Sequence, residues 1–125
     1  MSNSSRAMAS VNQPPRDAVL VSDAELDKAL HFLADSARPL GRAKARMVSA
    51  GHNLKHIEAL EFKLADGSIE VRKAEARTSE RYQQAVAEDA DATGEYETMK
   101  ALREAAALKI DVWRTACANY RSMKL

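Results

Sequence analysis

At 125 residues the chain is most simply one domain, and its composition (46% hydrophobic, 30% charged, 5% aromatic) is helical, poor in the residues that sheets prefer. A formal net charge of +1 excludes a whole-molecule field that would draw in DNA or a membrane, so any electrostatic argument has to be local. Cys117 is the single cysteine, which rules out an internal disulfide and suits a reducing cytoplasm, and no apolar run is long enough for a signal peptide or a membrane span.

The first 21 residues open with MSNSSRAMASVNQPPRD, rich in Ser, Asn and Pro without periodicity, and read as a disordered tail. The short apolar patch AVLV (18–21) is placed to staple that tail onto the segment beginning at Ser22. In SDAE, Ser22 and Glu25 have capping-box spacing, so a first helix is expected to start at Asp23. Leu26, Leu30, Leu33 and Ala37 give it an apolar stripe, and Pro39 is expected to end or kink it. The pattern resumes as Leu40, Ala43, Met47, Ala50, Leu54, Ile57, Glu61 and Leu64, at heptad spacing with one polar intruder.

ADGS (65–68) then stops the helix, with Gly67 suited to the left-handed conformation and Ser68 to capping a new start. A link this short implies antiparallel neighbours. From Ile69 only EDADATGE interrupts the pattern, and the buried side is expected to hold Tyr82, Val86, Tyr96, Met99, Leu102, Ala106, Ile110, Trp113, Cys117 and Tyr120. Gly94 either sits inside one long helix or separates two. Pro39 and Gly94 lie nearly equally far from Gly67, so the two weak points would fall at one level.

The fold expected is therefore all-α: an antiparallel, coiled-coil-like helical hairpin in one domain, residues 22–125, turning at 66–68. Its first arm is broken (22–38 and 40–65) and its second runs over 69–123. The alternative is a compact three- or four-helix bundle with a loop near Asp91–Gly94. A thin alanine-rich seam leaves Leu54, Ile57, Met99 and Trp113 poorly covered, which favours pairing two hairpins into a four-helix core. Leu102, Ile110 and Tyr120 join them as core or oligomer contacts.

Arg38, Arg42 and Arg46 stand four apart, with Lys44 nearby, and could form a phosphate-binding ridge. Reflected through the turn, however, residues 38–46 face Glu88, Asp89, Asp91 and Glu95. Further out, Asp23, Glu25, Asp27 and Asp35 face a segment holding Lys100, Arg103, Lys109 and Arg114. Such flanking pairs set register more than they stabilise. At the C-terminal end Trp113 and Tyr120 could stack bases while Arg114, Arg121 and Lys124 hold phosphates, but the aromatics continue a line with core spacing.

Catalytic chemistry is not legible. His52 and His56 have a metal-compatible spacing, yet Glu58 points away from His56 and no third ligand is close, so neither a metal nor another cofactor is expected. No phosphate-binding glycine loop or strained nucleophile turn is present, and the reading is of a protein that is not an enzyme.

The stretch EYETMKALREAAALKIDVWR resembles a tract of small helical proteins from the early regions of tailed phages and prophages. That tract runs A-x-Y-x-x-L/M-+-A-x-+-E-A-A-x-x-+-I-[ED]-x-W-R, where + is Lys or Arg. The matching positions are Tyr96, Met99, Lys100, Arg103, Glu104, Ala105, Ala106, Ile110, Asp111, Trp113 and Arg114, while Gly94 stands where the pattern has Ala. The likeness covers roughly residues 40–125, and I-D-x-W-R is its distinctive part. It implies a non-enzymatic accessory role in phage DNA recombination or replication, in the cytoplasm of a bacterial host. The implied partner is a single-strand annealing recombinase or single-strand-binding protein, with single-stranded DNA as a further candidate. The other function class is a small helical inhibitor of a host nuclease or defence complex, with the acidic stretch 88–97 as a mimic of nucleic-acid charge.

Overall fold

A computed structural model describes residues 21–124, with side chains as far as Met123. The tail expected over 1–21 therefore lies outside the described residues except for Val21, and so do the staple's residues 18–20. Among the described residues the chain is all-helical: α1 (Asp23–Leu64), α2 (Ile69–Thr78) and α3 (Glu80–Lys124), with no strand. No described helix is long and apolar enough to cross a membrane.

α1 starts where its cap dictates. The Glu25 backbone N–H donates to Ser22 Oγ at 3.2 Å, and the Ser22 hydroxyl lies 3.3 Å from the Glu25 carboxylate, which accepts from the hydroxyl in place of the backbone N–H. Val21, just before the cap, is buried. At the far end Gly67 takes φ +113, and Ser68 Oγ accepts from the Val71 N–H to start α2.

Pro39 does not break α1, which runs through it for 42 residues. An interior proline costs about 3 kcal/mol. The opposing gain is a seam that continues on both sides of it. Leu26, Leu33, Leu40, Met47, Leu54 and Glu61 form one line at intervals of seven, and Ala29, Ser36, Ala43, Ala50 and Ile57 form the other; all are buried or half-buried. This phase corrects the first stripe expected from sequence, because Leu30 is 50% exposed and Ala37 is exposed, while Ala29 and Ser36 are buried.

The second arm breaks at Ser79, not at Gly94, which lies inside an unbroken α3 of 45 residues. Ser79 is extended (φ −66, ψ 149), and its hydroxyl donates to the Ala76 carbonyl and accepts from the Tyr82 N–H. Thr78 also turns its hydroxyl back onto the Ala74 carbonyl. Two adjacent hydroxyls thus compete with the helix ladder, which a single glycine does not. The break also resets phase. Ala76, Ser79, Tyr82 and Ala85 step by three each, a walk around the surface that an uninterrupted helix would carry off the seam.

Beyond it α3 keeps strict sevens: Ala85, Ala92, Met99, Ala106, Trp113 and Tyr120, beside Tyr82, Asp89, Tyr96, Arg103, Ile110 and Cys117. Val86 and Leu102, expected inside, are 36% and 54% exposed. They lie one position off those lines.

The chain divides into two compact units, one holding the residues up to Asp35 with those from Arg103 onward, the other Ser36–Leu102. In the second unit α1 meets α3 through Arg46 with Asp91 and Glu61 with Arg81, and meets α2 through Glu58 with Arg77 and Phe62 with Arg72, so against each helix ascending numbers on α1 meet descending ones. In that register Ala43 lies level with Tyr96, Met47 with Ala92 and Leu54 with Ala85, a small residue opposite a large one each time. In the first unit Leu33 pairs with Arg103 and Asp23 with Trp113, again in opposite directions.

Candidate functional site

The arginine ridge is split by its neighbours. Arg46 donates to Asp91 at 2.9 Å and also to Glu95, and the Asp91 hydrogen bond holds its pKa above the ordinary value. Beside it, Lys44 Nζ lies 5.5 Å from the centre of the Tyr96 ring. Arg46 is therefore a register clamp between α1 and α3. Arg38 and Arg42 are exposed and make no ion pair among the described residues.

In the first unit, Trp113 is half-buried and its indole N–H donates to Asp23 Oδ1 at 3.1 Å. Tyr120 and Ile110 are half-buried, and Cys117 is buried. Arg114 pairs with Asp111 on its own helix at 3.2 Å. Arg103, expected opposite acidic residues, donates to the Leu33 carbonyl at 2.7 Å. Arg121 is exposed, and the Lys124 side chain lies outside the described residues. In the second unit, Leu54, Ile57 and Met99 are half-buried.

His52 and His56 are both exposed, and Glu58 is engaged by Arg77 Nε at 3.2 Å. Among the described residues no group of three or more His, Cys, Asp or Glu is placed to hold a metal. His31 sits apart from these, its ring against the Asp27 carbonyl and carboxylate, which hold its pKa above 6.5.

A groove that the residue spacing did not single out lies wholly within the second unit, beside the 65–68 turn. It encloses about 580 Å³ and is lined by Lys55, Glu58, Ala59, Phe62, Lys63, Lys73, Ala76 and Arg77. Lys55, Ala59, Phe62 and Lys63 share one face of α1, and Lys73, Ala76 and Arg77 share one face of α2. Phe62 is held in place from behind: the Arg72 guanidinium stacks 4.4 Å from its ring centre and donates to its carbonyl. The readable signal was the pair of i, i+4 combinations Lys55/Ala59 and Lys73/Arg77, brought to one level by the turn.

No family model, no curated protein and no solved structure matches the chain.

Proposed function

We propose that the chain is a non-enzymatic accessory protein of a phage-type DNA recombination or replication module. It works as a thin antiparallel helical hairpin that pairs with a second copy into a four-helix core and engages a protein partner in the bacterial cytoplasm. The carrying observation is the poverty of its own core. No large side chain is fully buried among the described residues, whereas Leu30, Leu102 and Leu108 are each at least half exposed. A chain that folds around Ala43, Ala76, Ala85, Ala92 and Ala106 has large apolar groups left to bury elsewhere, each worth about 1.5–3 kcal/mol when fully covered. Those surfaces are what it offers to a second copy and a partner.

The inhibitor reading rests on the acidic stretch 88–97. Two of its charges, Asp91 and Glu95, are engaged by Arg46, which leaves a weaker mimic of nucleic acid and favours the accessory role. By the same pairing, direct contact with single-stranded DNA falls to Arg38, Arg42, Arg114, Arg121 and Lys124.

The test is calorimetric titration of the purified chain against a phage single-strand annealing recombinase and a single-strand-binding protein. Saturable binding to one of them is expected. A parallel anisotropy series with single-stranded DNA across salt concentrations separates direct DNA contact, which weakens with salt and with Arg38→Ala plus Arg42→Ala, from partner binding alone. No binding to either protein, together with inhibition of a host nuclease, would overturn the accessory reading.

A further inference from the structure

We propose that the groove between α1 and α2 docks a short acidic peptide segment that carries one apolar anchor, presented by the chain's protein partner. The inference rests on the protein-partner reading above and gives that partner a chemistry. The groove has an apolar floor, Ala59, Phe62 and Ala76, and a rim of Lys55, Lys63, Lys73 and Arg77. Its one carboxylate, Glu58, is already engaged by Arg77. The three lysines make no ion pair among the described residues. About 580 Å³ lies within the size range of pockets that seat small ligands, enough for an anchoring side chain and its flanks. The Arg72 stack fixes the Phe62 ring in advance, so a docking side chain meets a prepared surface.

Nucleic acid fits the groove less well. Tracking a phosphate backbone requires an extended basic stripe, whereas the groove's cations form one compact set on facing stretches of α1 and α2. A compact ring of positive charge around an apolar floor selects a ligand with a localised cluster of carboxylates and one greasy group. An acidic peptide with a single Phe or Leu has that chemistry.

The probe is a fluorescein-labelled Asp-rich peptide with one central Phe, titrated by anisotropy against the full chain. Saturable binding is expected, weakened about tenfold or more when the Phe is replaced by Ser, and similarly by Lys63→Glu with Lys73→Glu. Both lysines are exposed, so the doubly substituted chain should keep its helical circular dichroism and melting temperature. A peptide that does not bind overturns the assignment, and if the wild-type chain still binds its module partner, only the groove falls and the partner reading stands. Two other results would also overturn it: an oligonucleotide that binds at the same lysines and displaces the peptide, or charge reversals that abolish self-association, which would make the occupant a second copy.

Discussion

Two regions of this molecule hold their helices together by different means. Within Ser36–Leu102, ion pairs tie α1 to its neighbours at three levels, through Arg46, Glu58 and Glu61, over a seam of Ala43, Ala76, Ala85 and Ala92. In the unit formed by the residues up to Asp35 and from Arg103 on, the ties include hydrogen bonds from large side chains, Trp113 to Asp23 and Arg103 to the Leu33 carbonyl. Where alanines alternate with larger residues along the seam, charges at its flanks add to the register that packing sets. At Trp113 the seam residue itself carries a cross-helix hydrogen bond, which adds to the register that its packing sets.

Trp113→Ala strikes the second kind of tie and should have the largest effect. Removing a half-buried indole together with its hydrogen bond should cost about 2–3 kcal/mol in urea unfolding. Amide exchange should accelerate first around Asp23–Leu33 and beyond Arg103. Equal acceleration across Ser36–Leu102 would abolish the distinction.

Ala92→Leu strikes the other region. Ala92 is 1% exposed, so the added bulk has nowhere to go without shifting the helices, at a cost of about 1–3 kcal/mol. Loss of exchange protection should centre on Ala43–Leu54 and on Ala85–Met99. Unchanged stability would mean that the alanine seam is loosely packed.

Gly94→Ala should do the reverse. A side chain there meets nothing within 4 Å, so the helix should gain about 1 kcal/mol, read as a higher urea midpoint. A loss would indicate that α3 needs a bend at this point.

Arg46→Ala should have the smallest effect, because its partners are exposed and screened. Its signature is salt dependence: wild-type stability should fall modestly between low and high salt, and the variant's should change less. Identical salt profiles would remove Arg46 as a register clamp.

Local chemistry was the part of this fold written most plainly in the residues. The Ser22–Glu25 cap, the Gly67 turn and the Ser68 cap act within a few positions, and each lies where its motif predicts. The facing of Arg46 with Asp91 and Glu95 was also readable, since one short turn fixes what reflects onto what. The phase of the first stripe was not, because leucines draw the eye and this seam is built on alanine. A line through Leu26, Leu30 and Leu33 looks more apolar than one through Leu26, Ala29 and Leu33, yet closely spaced helices bury the small residue. Pro39 and Gly94 carry intrinsic costs that a continuous seam outweighs. The modest Thr78–Ser79 pair breaks the helix because its hydroxyls offer the backbone other partners. The groove stayed hidden because its lining comes from two helices whose pairing only the turn establishes.

Completion of this thin seam by a second copy of the chain is the central claim of the proposed function. Sedimentation equilibrium from low to high micromolar concentration is its sharpest test. A mass rising to twice the 13.7 kDa chain as concentration increases is the expected result. A single 13.7 kDa species persisting at high micromolar concentration would contradict it.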